Sequence, residues 1–211
     1  MPHRLRPLLL AWPWAVVLGV AAWISAPLWQ SQELFFGALT GDNMQTAWFY
    51  DWVSRAIRSG EGLSLLSDFN YPNPKAREVG FPAVADAVIA APLAWWMDFP
   101  QQFGAAQGLA VIINALGFAW LARALGCRGL GIAFAGCLGA FCHPAWKAIH
   151  MARMNAAWPG LAAAALGAWM EILQPGPEGG WKSILLRRGP WVLVAGVLGA
   201  AAAATYPPFL L

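Results

Sequence analysis

The sequence predicts an all-α protein: a polytopic transmembrane helix bundle whose first extracytoplasmic loop contains juxtamembrane helices. Three observations predict it. Hydrophobic residues fill 59% of the 211 positions and charged residues only 11%, against about 45–50% and about 25% in soluble domains. Apolar stretches near the ~20 residues needed to cross a bilayer recur along the chain, and mean hydropathy is +0.53. Fourteen tryptophans are available as interfacial anchors. The net charge of +3 is small, and its basic residues sit in short loops. This excludes a nucleic-acid-binding face and fits a positive-inside topology. Cys127, Cys137 and Cys142 form no disulfide framework and no metal-binding C-x-x-C, and read as small buried hydrophobes.

The first element is Leu8–Trp29, an apolar run of 22 residues. It is too long for a signal-peptide core, and Pro27 spoils the nearest small-residue cleavage site, so it reads as an uncleaved anchor. Arg4 and Arg6 place its start in the cytoplasm. The first extracytoplasmic loop follows over 30–102, inside a single membrane-embedded domain, 1–211. Within it, Met44, Trp48, Trp52 and Ala56 recur at helical spacing over Asp42–Arg58. The aromatics Trp48, Phe49, Tyr50 and Trp52 suit a helix lying at the membrane surface, and Ser59-Gly60-Glu61-Gly62 ends it. Asn70-Tyr71-Pro72-Asn73-Pro74 predicts an extended, turn-rich segment.

Residues 79–97 are apolar but contain Pro82, Asp86 and Pro92. If they spanned the bilayer, the loops with Arg123 and Arg128 and with Lys182, Arg187 and Arg188 would both lie outside. A re-entrant or juxtamembrane segment puts those loops in the cytoplasm and spares Asp86 a cost of at least ~2.5–3.5 kcal/mol in hydrocarbon. Four further spans are then predicted: Phe103–Leu121, Leu130–Trp146, Ala156–Ile172 and Trp191–Tyr206. An outer loop from His143 to Arg153 links the second and third of these. Gly131, Ala135 and Gly139, and likewise Gly196, Ala200 and Ala204, recur every four residues and predict close helix packing. The chain stops at Pro207-Pro208-Phe209-Leu210-Leu211 without a polar tail, as expected of the N-terminal part of a longer protein.

The order of these features resembles the C-type glycosyltransferase superfamily, multi-span enzymes that use polyprenyl-phosphate sugars. The resemblance is carried by Gly41-Asp42 before the helix Gln45–Trp52, by Asn70-Tyr71-Pro72-Asn73-Pro74, by a span passing Asn114 to Leu121–Gly126, and by an outer segment bearing His143 and His150. It covers about 40–206, rests on order and topology rather than on one specific motif, and is nearest to uncharacterised bacterial members. The chain has fewer spans than a complete enzyme of this kind, and its first loop lacks the Asp-Glu pair of some branches.

The resemblance implies an inverting transfer to an extracytoplasmic acceptor (glycan, lipid or protein) at a bacterial plasma membrane, with Asp42 as catalytic base. A carboxylate can accept the proton of an acceptor hydroxyl as that oxygen attacks the anomeric carbon. Asp42 followed by Gln45 equally matches a helix N-cap. Asp68, Asn70 and Tyr71 are candidate substrate contacts, though such side chains also cap turns. Asp86 is a candidate because an ionisable group in an apolar segment is either functional or paired. Asp51 faces away from Asp42 and should pair with Arg55 at i+4. Lys147, His150 and Arg153 share a helical face and can hold the donor phosphate, or simply lipid headgroups. His143 reads as a helix end. The histidines lack a third ligand at zinc spacing, whereas a divalent cation, Mg or Mn, on Asp42 and the phosphate is compatible. The alternatives are a transporter or flippase-like module with Asp86 and Asn114 along a path, or a non-catalytic membrane subunit.

Overall fold

The computed structural model of the chain describes residues 6–30, 41–60, 84–150, 154, 157–173 and 181–205. Every element among them is helical: α1 (Arg6–Gln30), α2 (Gly41–Ser59), α3 (Val84–Ala90), a 3₁₀ turn (Ala91–Trp95), α4 (Phe99–Ala124), α5 (Leu130–Ala140), α6 (His143–His150), α7 (Pro159–Leu173) and α8 (Trp181–Thr205). Three stretches are long and apolar enough to cross a membrane: Ala11–Gln30, Phe99–Ala124 and Leu130–Ile149. The protein is therefore membrane-embedded. Apolar helices Pro159–Leu173 and Gly189–Ala201 are shorter.

α4 is the hub, packed against α1, α5 and α7. Its end is set locally. Gly126 adopts φ +91°, donates its N–H to the Arg123 carbonyl at 2.9 Å, and lets the Cys127 N–H reach the Ala122 carbonyl at 2.9 Å. This Schellman closure requires a left-handed residue, which glycine supplies without strain. The chain then reverses into α5.

Contacts along the helices fix their directions. Trp29 lies against Gly108, Val17 against Gly136 and Trp12 against Gly129, so α1 runs antiparallel to α4 and alongside α5 in the same direction. Asn114 meets Gly160, Leu121 meets Gly167 and Arg123 meets Glu171, so α4 and α7 are parallel. A Cβ on Gly117 would collide with the Gly160 carbonyl, and one on Gly160 with the backbone of Ile113 and Asn114. Two glycines facing each other let these backbones touch, as close packing in lipid requires.

The bundle thus has two ends. The α4–α5 turn with Arg123 and Arg128, the start of α1 and the end of α7 share one. The end of α1, the start of α4 and the α6–α7 junction share the other, where α2, α3 and the 3₁₀ turn pack. Large apolar side chains including Leu130, Phe134, Leu138, Leu166, Trp169, Leu193 and Val197 are exposed around the outside, as a lipid-facing surface would be.

Several expectations need correction. The predicted span Leu130–Trp146 is two helices, broken at Phe141–Cys142. Pro144 has no N–H to give the Ala140 carbonyl, and its ring would crowd that carbonyl in a continuous helix. The Trp146 indole takes the vacated acceptor instead, at 2.7 Å. The predicted outer loop is consequently helical over His143–His150, and His143 begins α6 rather than ending a helix. α7 starts at Pro159, three residues later than expected, because proline is favoured in a first turn. α8 starts at Trp181, so Lys182, Arg187 and Arg188 lie on a helix rather than in a loop. Cys127 is exposed and the other two cysteines are half-buried.

The small-residue stripes also differ. Gly136 and Gly139 do pack, against Val17 and Ala115 and against Asn114 and Phe118, but Gly131 is exposed and touches only Cys127. On α8, Gly196 has open space and Ala200 is exposed. A four-residue spacing does not say which stripe meets a neighbour.

Candidate functional site at the α2 end of the bundle

Asp42 is the second residue of α2, inside its first turn and not at the N-cap position that its spacing to Gln45 suggested. From Asp42 the helix runs eight residues, about 12 Å, before Tyr50. From there its position is fixed by contacts. Tyr50 meets Phe103 edge to face with ring centroids 5.3 Å apart. Ser54 Oγ donates to the Tyr50 carbonyl at 2.8 Å and accepts from Gln102 Nε2 of α4. Arg58 Nη1 donates to the Ala94 carbonyl of the 3₁₀ turn at 3.3 Å. Gly60, at φ +73°, ends the helix as its sequence predicted.

These contacts correct the expectation of a surface-lying aromatic helix. Phe49, Tyr50, Trp52, Val53 and Ala56 are all buried. They cover more than one stripe, because α2 packs against α3 and the 3₁₀ turn as well as α4. Its solvent side carries the expected Asp51–Arg55 pair, Oδ2 to Nε 3.0 Å. That pair is an exposed i, i+4 bridge and contributes only a few tenths of a kcal/mol.

Asp86 lies on α3, which contacts both α2 and α8. α3 and the 3₁₀ turn together hold 12 residues, seven plus five, fewer than the ~20 needed to cross a bilayer. The turn presents Trp95 and Trp96 outward in an edge-to-face pair.

The third component is the α6–α7 junction. Lys147 is exposed on α6, and His150 is its last residue. Gln107 of α4 donates from Nε2 to the neighbouring Ile149 carbonyl at 3.4 Å. Two helical turns further along the same face of α4, Asn114 holds the start of α7. Its Nδ2 donates to the Ala157 carbonyl at 2.9 Å and its Oδ1 accepts from the Gly160 N–H at 2.8 Å. The first N–H groups of any helix lack intrahelical partners. Here the cap comes from another helix, because Trp158 before Pro159 offers no side-chain acceptor.

Asn114 is 1% exposed and both ends of its amide are hydrogen-bonded to backbone. By contrast, Gln107 Oε1 and Trp158 Nε1 are buried with no hydrogen-bond partner among the described residues. Asp68, Asn70, Tyr71 and Arg153 lie outside the described residues, so the structure brings together α2 with Asp42, α3 with Asp86 and α6 with Lys147 and His150 only as elements at one end. Among the described residues no three His, Cys, Asp or Glu side chains converge. Sequence reasoning missed Ser54, Gln102 and Gln107. The available signal was a neutral polar residue inside or beside an apolar span, which must find a partner when buried.

No protein-family model matches the chain, and neither curated proteins nor solved structures yield a significant match.

Proposed function

We propose that the chain belongs to a membrane glycosyltransferase that moves a sugar from a polyprenyl-phosphate donor to an extracytoplasmic acceptor. The observation that carries this reading is sidedness. α2, with Asp42 in its first turn, packs at the end of the bundle away from Arg123 and Arg128. In this reading the basic turns mark the cytoplasmic face and α2 lies outside, where lipid-linked sugars are used. In this reading α7 and α8 also cross the membrane, giving five spans, and residues 30–102 form the outer loop in a bacterial plasma membrane.

Asp42 accepts the proton of the acceptor hydroxyl. The hydroxyl oxygen bonds to the anomeric carbon as the bond to the phosphate oxygen breaks, polyprenyl phosphate leaves with its electron pair, and the configuration inverts. Lys147, His150 and Arg153 balance the leaving phosphate's charge, and Asp68, Asn70, Tyr71 and Asp86 contact the substrates. A divalent cation, Mg or Mn, would supplement that charge balance.

The test replaces Asp42 by Asn in the host. Asn keeps the side-chain size but removes the base. Surface glycans and glycolipids are compared by mass spectrometry at matched membrane levels of protein. Loss of one sugar supports Asp42 as base. Unchanged glycans, where deleting the gene does change them, remove Asp42 from the chemistry, and no change on deletion removes the transferase reading.

A transport reading draws on a different observation: helices broken at Phe141–Cys142 and before Pro159, beside Gln107 Oε1, which has no partner among the described residues. Broken helices with buried polar groups are the usual sites in transporters. Labelling of a cysteine at position 107 by water-soluble reagent from both sides would favour it.

A further inference from the structure

We propose that the opposite, basic end of the bundle binds the headgroup of an anionic phospholipid, between the end of α4 and the start of α8. The site does not rest on the transferase reading. Trp120 of α4 and Trp191 of α8 meet at 5.5 Å between ring centroids and 60° between planes. α4 ends four residues beyond Trp120, and Trp191 lies ten residues into α8, whose Leu198 and Ala201 pack back onto the core. Arg123 lies one turn beyond Trp120, and Arg187 and Arg188 lie one turn before Trp191. The tryptophan pair therefore brings the basic turns of two helices to one level at the rim. The α4–α5 turn adds Arg128, which is exposed.

Glu171 of α7 is 4.0 Å from Arg123, and the Arg123 side chain remains 54% exposed. Arg123 therefore stays open to solvent, and Arg128 in the adjoining turn is exposed as well. Guanidinium groups suit phosphate oxygens because their forked donors match that geometry. Immediately below the rim, Val192, Leu193 and Val197 of α8 are exposed, and Trp169 of α7 is exposed at the level of Arg123. A phosphate-seeking rim above an apolar wall fits a ligand with an anionic head and acyl chains. A free anion would leave the wall unused. Basic sites between helices on the cytoplasmic side recognise anionic headgroups in this way.

The test is native mass spectrometry of the full purified chain, titrated with dioleoyl phosphatidylglycerol or dioleoyl phosphatidylcholine. Tighter binding of the anionic lipid, weakened by high salt, is the expected result in the unaltered protein. R123Q/R128Q should weaken it about 5-fold per arginine, and R55Q, on α2 at the other end, should leave it unchanged. Equal affinity for the two lipids would overturn the proposal. So would an equal loss in R55Q, which marks unspecific charge attraction. Displacement of the lipid by millimolar inorganic phosphate would reassign the site to a free anion and likewise overturn it.

Discussion

Replacing Asn114 by Ala removes the clamp between α4 and α7. Two hydrogen bonds go, 2.9 Å to the Ala157 carbonyl and 2.8 Å from the Gly160 N–H, and both backbone groups are left buried. In water-soluble proteins an orphaned buried group costs about 1–3 kcal/mol. Hydrogen bonds between membrane helices average only about 0.6 and reach about 1.7 kcal/mol. Two bonds therefore give a loss of about 1.2 to about 3.4 kcal/mol on the membrane scale. The Gly160 bond should dominate, because it caps a helix start that has no side-chain cap of its own. The assay is denaturant-driven unfolding of the purified protein in mixed micelles, with hydrogen exchange followed at 157–161. Faster exchange confined to the start of α7 is expected alongside the stability loss. A loss below about 0.5 kcal/mol, within ordinary surface effects, with unchanged exchange would refute the clamp.

Other outcomes follow from the same geometry. Gly117→Ala should destabilise more than Asn114→Ala, since its Cβ would meet the Gly160 carbonyl, which is backbone and cannot swing aside; the same unfolding assay ranks the two. Ser54→Ala should cost about 1–3 kcal/mol, because it orphans the buried Gln102 amide, whereas Arg55→Ala should cost under ~0.5 kcal/mol. A membrane-impermeant maleimide should label Cys127 from one face of a sealed vesicle and a cysteine placed at Gly60 from the other. Labelling of both from one face would refute the two-ended arrangement.

The helices were largely legible in the sequence, and so was the membrane. Leu8–Trp29, Asp42–Arg58 and Phe103–Leu121 each fall within α1, α2 and α4, because long apolar runs and a helical period are local properties. The stop at Gly60 and the Asp51–Arg55 pair are local too. The break after Ala140 was partly legible: Pro144 disfavours a continuous helix, but the indole of Trp146 that takes the freed carbonyl had to be seen in place.

What only the tertiary structure decided is which face of each helix meets another. Membrane helices are apolar all round, so composition does not separate lipid-facing from partner-facing positions. Gly131 and Gly196 fit the expected spacing and remain exposed, while Gly117 and Gly160, distant in sequence, touch. Asn114 carries the same lesson. Its sequence position marks a polar residue inside a span, equally suited to a path or a contact. Its partners, the Ala157 carbonyl and the Gly160 N–H, lie more than 40 residues away and make it a helix cap. A hydrogen bond to backbone leaves no trace in the identity of its partner residue, so this part of the design exists only once the helices are packed.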